Sequence, residues 1–317
     1  MRAVFVLLST VVILSSCTRS AIVFKEPVVF ERPVLFQNGA TFEQGVSWGT
    51  ESGKDQLSLL TMNVRMWNYR EAYHRLSLVF STLERSSADV IALQEASYWF
   101  VYSLLRQPWV QGSYHVTRLG GQPFAPGGLV ILSRFPIKET KVKRLERAPY
   151  QRFRYALVAV VDYPGQPVAI GNVHLESILG ADRVRRVQIQ ETRSLLEPYK
   201  HSVLLGDFNF GDGAGEEHYL YQDFTDLWLR LRPGQPGYTW DMEKSWMARI
   251  YAFRGETSRR LDRILVRSDH FKPAAVSLVG ESPLYFHGGS LFASDHFGVR
   301  GTIEVSRLGY PRVSLLE

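Results

Sequence analysis

The chain has 317 residues, of which 45% are hydrophobic and 21% charged. This composition excludes a disordered or fibrous protein and suits one large globular domain or two small ones. The formal net charge of +6 favours a polyanionic partner, either nucleic acid or an anionic membrane surface, although a merely basic solvated surface would give the same charge. The single cysteine excludes an intramolecular disulfide.

The N-terminus predicts export. Arg2 is followed by the apolar or small run Ala3–Ser16, which is shorter than the roughly 20 residues that span a bilayer and fits the central region of a secretory signal. Leu14–Cys17 resembles a bacterial lipobox. We therefore expect a signal peptide at 1–16 and lipidation of Cys17, which would make the protein a membrane-anchored lipoprotein of the cell envelope. The alternative is an uncleaved anchor or a buried N-terminal strand. If the segment is not a signal, the protein would be cytoplasmic or nuclear.

The segment after the cysteine predicts a tether or an added edge strand. Val23–Val28 and Val29–Val34 form a faint six-residue repeat with a proline in each copy, and proline at this spacing allows edge strands but not central ones. The predicted organisation is a lipidated N-terminus and tether at 17–55, a main domain at 56–306 and a C-terminal tail at 307–317.

Strands and helices alternate in the main domain. Apolar residues recur at helical spacing over Tyr73–Ser86 and Ala181–Leu196, which predicts two helices. The predicted strands are Leu57–Val64, Val90–Leu93, Gly128–Leu132, Tyr155–Val161, Val168–Leu175, Val203–Leu205, Leu261–Val266, Ala274–Leu278 and Val299–Val305. Many strands and few helices favour a two-layer β core flanked by helices.

Polar motifs follow several predicted strand ends, where scaffolds usually carry functional sites. In chain order they are Asn63, Gln94-Glu95, Asn172–Glu176, Gly206–Asn209, Arg260–Arg263 and Ser294–His296. Phosphate hydrolysis requires oxygen ligands for a divalent metal, a base for water and donors for the phosphoryl oxygens. Together the motifs supply all three and predict a metal-dependent phosphodiesterase.

This ordered set resembles the endonuclease/exonuclease/phosphatase superfamily, which includes DNase I-like nucleases, abasic-site endonucleases, neutral sphingomyelinases and inositol polyphosphate 5-phosphatases. The resemblance covers about residues 56–306. It implies an α/β fold, the DNase I-like four-layer α/β sandwich of two packed mixed β-sheets flanked by helices. The segments that look like the 5′-tyrosyl-DNA phosphodiesterase branch are His174–Ser177, Tyr238–Asp241, Arg259–Ile264 and Ser294–Gly298. Phe208 departs from that branch, which more often has threonine there.

The resemblance implies that Glu95 is the main metal ligand, with Asp295 on the metal side. A carboxylate at the end of a buried strand is costly unless it is paired or bound to metal. An exposed strand-end glutamate is the alternative for Glu95. The expected ion is Mg²⁺, which takes one or two carboxylates together with waters and substrate phosphate; Mn²⁺ is the alternative.

Three further motif residues are assigned catalytic roles. Asn63 would place the metal or a phosphate oxygen, and its alternative is a turn asparagine. Asp207 would orient or deprotonate a water, while Asn209 would donate to a developing equatorial oxygen; an Asx turn leaving the strand is the alternative for both. Whether Asp207 or His296 removes the water proton stays open.

The two histidines are expected to spread negative charge in the transition state. By resemblance, Asp262 orients His296, whereas a salt bridge of Asp262 with Arg260 or Arg263 is the alternative. His174 alone would be read as a satisfied core histidine, but its place in Asn172-Val173-His174 at a strand end favours charge stabilisation.

The substrate is predicted from Trp240, Arg260 and Arg263, because basic and aromatic residues interleave around them as in proteins that bind single-stranded nucleic acid. Solvated arginines alternating with core aromatics are the alternative. We expect DNA as substrate, including 5′-phosphotyrosyl adducts, and a monomeric enzyme. A membrane-tethered lipid phosphodiesterase of the sphingomyelinase type would suit export better, but it predicts an apolar membrane-docking hairpin, and none is convincing in the sequence. A non-catalytic surface-binding lipoprotein on the same fold is the third possibility.

Overall fold

The computed structural model describes residues 35–37, 40–42, 55–67, 69–118, 127–149, 151–286 and 289–306. Its helices are α1 (Tyr69–Ser86), α2 (Tyr98–Leu104), α3 (Pro108–Gln111), α4 (Asp182–Leu196), α5 (Glu217–Leu220), α6 (Leu227–Leu231) and α7 (Trp246–Tyr251). Its strands are β1 (Leu35–Gln37), β2 (Ala40–Phe42), β3 (Gln56–Asn63), β4 (Val90–Gln94), β5 (His115–Val116), β6 (Val130–Ser133), β7 (Ile137–Arg144), β8 (Tyr155–Tyr163), β9 (Gln166–His174), β10 (Ser202–Asp207), β11 (Thr225–Asp226), β12 (Asp262–Arg267), β13 (Phe271–Val279), β14 (Leu284–Phe286), β15 (Gly289–Leu291) and β16 (Gly298–Val305).

The predicted signal peptide, the lipidated Cys17 and the tail at 307–317 lie outside the described residues. The tether at 17–55 does so too, apart from Asp55 and the antiparallel pair β1–β2. No helix in the described ranges is long and apolar enough to cross a membrane.

Two mixed six-stranded sheets form the centre of the fold. One has the strand order β13-β16-β3-β4-β6-β5 and the other β11-β12-β10-β9-β8-β7. The pairs β3–β4 and β9–β10 are parallel, and the other pairs are antiparallel. The strand pattern and the sheet count confirm the predicted two-layer β core.

Side chains alternate between the two faces of each sheet, as the period of a strand requires. In β3, Leu57 and Leu59 pack in the core between the sheets, while Leu60 and Met62 pack on the outer face. In β10, Leu205 points between the sheets and Leu204 points outward. Both sheets are therefore apolar on both faces and need a cover on each side.

Helices supply these covers. Val79 and Leu83 of α1 and Phe100 of α2 lie in the same buried cluster as the outer face of β3 and β4. Ile189 and Leu196 of α4 lie against the outer face of the second sheet. The order helix, sheet, sheet, helix confirms the four-layer α/β sandwich.

The sequence prediction omits several of the described elements, and two examples are β7 and the hairpin β14–β15. Strand β7, with the sequence IKETKVKR, is half-exposed. Because charged residues occupy most of its positions, it lacks a clear alternation of apolar and polar residues. The second is the antiparallel hairpin β14–β15, in which Leu284 and Tyr285 are 50% and 81% exposed. The sequence analysis did not single out this hairpin.

Candidate active site

Three site residues form one row across neighbouring strands of the second sheet. Asp207, the last residue of β10, lies opposite His174 in β9 and opposite Asp262 in β12. Parallel pairing brings the carboxyl ends of β9 and β10 to the same edge of the sheet, and antiparallel pairing brings the start of β12 there too. The register alone therefore assembles three polar groups that are 33 to 88 positions apart in the chain.

Gly206 allows this row to form. Its φ is +138° and a Cβ built on it would lie 2.1 Å from the Val173 carbonyl oxygen, so only glycine fits beside β9. The glycine of the Gly206–Asn209 motif is thus explained by close strand packing next to the site. A side chain there would push β9 and His174 away from Asp207.

Asn63 joins the two sheets at the site. Its Nδ2 donates to Glu95 Oε1 at 3.1 Å and to Asp207 Oδ2 at 3.0 Å. Glu95 follows β4 directly with φ +54°, a left-handed conformation that is costly for a residue with a side chain and is typical of functional sites. One amide therefore fixes the separation of the two carboxylates.

His296 is paired with Asp262. Its Nδ1 lies 2.8 Å from Asp262 Oδ2, and its Nε2 lies 3.8 Å from Asp207 Oδ2. Burial by itself would lower the pKa of His296, but the charges of Asp262 and Asp207 outweigh it and raise the pKa to about 10. The ring is an imidazolium at neutral pH, and Asp262 holds its orientation, as the sequence analysis expected of this pair.

His174 has the opposite charge state. Its Nε2 faces Asp207 Oδ2 at 3.6 Å and Glu95 Oε1 at 3.9 Å. Burial, followed by the positive charges of Arg154 and His296, lowers the pKa of His174 well below its ordinary value. The site thus contains one neutral and one cationic histidine.

Asp207 is held by two donors on opposite oxygens. The backbone N–H of Asn209 donates to Oδ1 at 3.0 Å, and Asn63 donates to Oδ2. Burial is the main cause that raises the pKa of Asp207 above its ordinary range. The bond from Asn209 is an Asx turn, so the alternative reading of this motif describes its backbone correctly while the carboxylate still points into the site. The Asn209 side chain donates to the Leu175 carbonyl oxygen at 3.0 Å.

Glu95 and Asp295 fit a divalent cation. Burial raises the pKa of Glu95, and the nearby charge of Asp295 raises it further, so a cation between the two groups would relieve both effects. The donors are carboxylate oxygens, the ligands that Mg²⁺ prefers. Asp295 also accepts from Arg65 Nη1 at 3.0 Å and from the Ser294 hydroxyl at 3.0 Å.

A second set of possible ligands consists of Asp207, Asp262 and His296, whose ligand atoms lie within 4.8 Å of one another. The Nδ1 of His296 already binds Asp262, and an imidazolium has no lone pair for a metal. We therefore favour Glu95 as the main ligand position, in agreement with the sequence analysis.

Arg260 and Arg263 do not lie in the cleft. Both side chains are buried, at 1% and 0% exposure, in an ion cluster with Asp226 and Asp212. Substrate contact would require these ion pairs to break, so the structure corrects the prediction that the two arginines bind substrate. It also shows Asp262 paired with His296 and not with either arginine.

Trp240 does line the cleft. Its ring meets His296 edge-on at a centroid distance of 5.0 Å, and its neighbour Thr239 accepts hydrogen bonds from the backbone N–H groups of Leu261 and Asp262. The Tyr238–Asp241 motif therefore positions the start of β12.

The cleft has a volume of about 420 Å³. Besides the site residues, its walls carry exposed or half-exposed aromatic and basic side chains, which are Arg65, Trp67, Arg152, Phe153, Arg154, Tyr155, Tyr251 and Phe253. A larger hollow of about 740 Å³ lies at the opposite end of β3, around Gln56 and Glu304, where acidic and basic side chains mix. It is remote from the row of site residues, and we do not assign the chemistry to it.

Sequence reasoning missed three positioning groups. Gln94 donates to Asn172 Oδ1 at 2.7 Å between the sheets, and Asn172 donates to the Leu93 carbonyl oxygen. Arg65 lines the cleft beside Asp295. Gln94 and Asn172 belong to the motifs given above, and their polarity at buried strand positions was the signal that could have identified them. For Arg65 the sequence offered no signal other than its closeness to Asn63.

Comparisons with known proteins identify the family of the chain. Residues 60–296 match the model of the endonuclease/exonuclease/phosphatase family, and the chain therefore belongs to that family. No curated protein matches the chain.

Solved structures share the fold. A humanised D. rerio TDP2 is 22% identical with a TM-score of 0.65, covering 79% of this chain and 99% of its own. D. rerio TDP2 complexed with a single-strand DNA product is 24% identical with a TM-score of 0.63, covering 78% and 99%. An endonuclease/exonuclease/phosphatase family protein from Bacteroides thetaiotaomicron is 15% identical with a TM-score of 0.63, covering 80% and 98%.

Proposed function

We propose that the protein is a metal-dependent phosphodiesterase. The observation that carries the proposal is the convergence of Asn63, Glu95, Asp207 and the Asp262–His296 pair in one cleft. The set combines hard oxygen ligands, a carboxylate with a raised pKa and a buried cationic donor. These are the groups that in-line attack of water on a phosphodiester requires.

Asp207 is the proposed base. His296 is already protonated at neutral pH because its pKa is raised to about 10, so it cannot accept the water proton. The raised pKa of Asp207 makes this carboxylate a better proton acceptor than an ordinary aspartate. Asn63 and the Asn209 N–H hold its two oxygens in place.

The negative charge that develops on phosphorus-bound oxygens is balanced by His296 as a cationic donor and by His174 as a neutral one. Removal of one such preorganised donor typically costs about 10²- to 10³-fold in kcat. Mg²⁺ held by Glu95 and Asp295 would supply Lewis-acid polarisation of the phosphate.

DNA is the proposed substrate, including 5′-phosphotyrosyl ends. Support comes from the cleft walls, where Phe153 lies against the guanidinium groups of Arg144 and Arg147 at 4.4 Å each, and Phe253 is 60% exposed. Exposed rings next to cations suit the stacking of unpaired bases. A family member with the same fold, D. rerio TDP2, was solved with a single-strand DNA product.

A second candidate is a lipid phosphodiesterase of the sphingomyelinase type. The hairpin β14–β15 favours it, because Leu284 and Tyr285 are exposed and Trp246 of α7, itself 38% exposed, donates its indole N–H to the Ser290 carbonyl oxygen of the hairpin. Exposed Leu, Tyr and Trp side chains on one projection are typical of insertion into a membrane interface. Export through Cys17, which we also propose, would bring the site to a lipid surface.

The experiment is a side-by-side assay of the full-length chain on 5′-tyrosyl DNA, plain single-stranded DNA and sphingomyelin, with Mg²⁺ and with EDTA. We expect Mg²⁺-dependent cleavage that is fastest on one of the DNA substrates. Preference for sphingomyelin would select the second candidate, and turnover that resists EDTA would contradict metal dependence.

Two substitutions assign the activity to this cleft. Glu95→Gln and His296→Asn should each lower kcat at least 100-fold while the thermal midpoint is kept. Arg186→Ala, which removes an exposed arginine on α4, is the matched control and should keep full turnover.

A further inference from the structure

Arg65 is placed in the cleft by two contacts of its own backbone. Its N–H donates to Asn63 Oδ1 at 3.1 Å, and its carbonyl oxygen accepts from Arg75 Nη2 at 2.6 Å. Its φ is +46°, a left-handed conformation that costs about 1–2 kcal/mol for a residue other than glycine. The chain therefore keeps a strained arginine two residues after Asn63, where glycine or asparagine would be easier to accommodate.

The guanidinium group of Arg65 is oriented as firmly as its backbone. Nη1 binds Asp295 Oδ2 at 3.0 Å, and the guanidinium carbon lies 3.4 Å from the centroid of the Tyr251 ring. An arginine stacked on a ring and paired with a buried carboxylate has few rotamers left. Its side chain is nevertheless 28% exposed, whereas that of Asp295 is 4% exposed.

The concentration of negative charge in the cleft favours a cation at this position. Glu95, Asp207, Asp262 and Asp295 bring four carboxylates to one small space, and a phosphodiester adds a further negative charge. Arg65 is a permanent cation beside Asp295 in the cleft. A guanidinium carries five N–H donors in a planar fork that matches phosphate oxygens.

We propose that Arg65 binds the substrate phosphate, and that Asp295 and Tyr251 hold its guanidinium in the cleft for this contact. The proposal rests on the proposed phosphodiester hydrolysis and deepens it, because the contact is to the phosphate that DNA and phospholipid substrates share. It makes Arg65 a substrate-binding residue and Tyr251 a positioning residue.

The test measures binding separately from turnover. Fluorescence anisotropy of a phosphorothioate single-stranded oligonucleotide is recorded with the full-length protein in Mg²⁺ and again in EDTA. Arg65→Ala should raise Kd about 10- to 100-fold, the range for loss of a charged hydrogen bond, and the loss should persist in EDTA. A plot of log K against log salt concentration has a negative slope. The magnitude of this slope should decrease by about 0.7, as expected when a single-stranded ligand loses one phosphate contact.

Matched variants separate this contact from folding and from net charge. Arg65→Gly removes the side chain and relieves the positive φ, so it should bind as weakly as Arg65→Ala without loss of thermal stability. Tyr251→Leu should weaken binding several-fold, whereas Tyr251→Phe, which keeps the ring, should not. Arg186→Ala removes one half-exposed charge on α4 that does not line the cleft and should bind like the wild type.

The outcomes distinguish the two proposals. If the wild type binds and cleaves phosphodiesters while both Arg65 variants bind as tightly as Arg186→Ala, the role of Arg65 is refuted and the proposed function stands. If the wild type neither binds nor cleaves any phosphodiester tested, the proposed function itself is refuted.

Discussion

We expect Asp226 to contribute strongly to the stability of the fold beneath the site. Its Oδ2 pairs with Arg260 Nη1 at 2.8 Å, and its Oδ1 accepts from the backbone N–H groups of Trp228 and Leu229 at 2.8 and 3.2 Å, where it caps α6. The side chains of Asp226 and Arg260 are 2% and 1% exposed. Burial would lower the pKa of Arg260, but the charges of Asp226 and Asp212 outweigh it and raise the pKa, so Arg260 stays charged.

Two substitutions separate the contribution of the Asp226 ion pair to stability from the contribution of its helix cap. Asp226→Asn keeps an acceptor for the cap but removes the charge, and we expect it to lower the free energy of unfolding by about 3 kcal/mol. This is the lower end of the range of about 3–5 kcal/mol for breaking one partner from a buried ion pair, because Asp212 still compensates Arg260. Asp226→Ala also removes the helix cap, which costs about 1 kcal/mol more, so its total loss is about 4 kcal/mol.

The assay is urea unfolding followed by tryptophan fluorescence, with midpoints compared at equal m-values. Asp212→Asn is the matched control, since the Asp212 side chain is 37% exposed and its loss should shift the midpoint less. The reasoning is refuted if Asp226→Asn and Asp226→Ala both unfold at the wild-type urea concentration. Arg260→Gln with unchanged stability but weakened oligonucleotide binding would restore the substrate role that the sequence suggested.

Three further predictions concern the site and the N-terminus. Gly206→Ala should lower kcat at least 100-fold because its Cβ meets the Val173 carbonyl oxygen and separates β9 from β10; unaltered turnover would contradict the packing argument. Asp262→Asn removes the charge that raises the pKa of His296 to about 10, so the basic limb of the kcat/KM profile, where the imidazolium is lost as pH rises, should move to lower pH; a limb in the wild-type position would show that Asp262 does not control this proton. Cys17→Ala should release the protein from the membrane fraction if the lipobox is functional, and unchanged fractionation would remove the support for lipidation.

Much of the site was predictable because its residues stand at strand ends in short motifs. Asn63, Glu95 and Asp207 each stand at or just after the end of a buried strand, and strand ends are where a sheet can present polar groups without burying them unpaired. The order of the motifs carried the family resemblance, which the family match over residues 60–296 confirms. The pattern of apolar residues was enough to place most of the nine predicted strands within one or two residues.

Charged residues were less predictable. Arg260, Arg263 and Asp262 are neighbours in the sequence, and nothing local shows that the arginines turn into a buried cluster while Asp262 turns towards His296. The direction of each side chain depends on β12 pairing with β10 and on Asp212 and Asp226, which come from other parts of the chain. A run of charged residues has the same sequence pattern whether its side chains are solvated, buried or bound to substrate.

The sequence by itself determined the family and the layered fold, because both depend on local patterns: strand periodicity and the order of polar motifs at strand ends. Only the tertiary structure decided which groups meet. The register that sets His174, Asp207 and Asp262 in one row, the protonation states of the two histidines, and the position of Arg65 against Asp295 all arise from contacts between residues far apart in the chain. Electrostatic effects of this kind depend on distance and burial, which no linear pattern encodes.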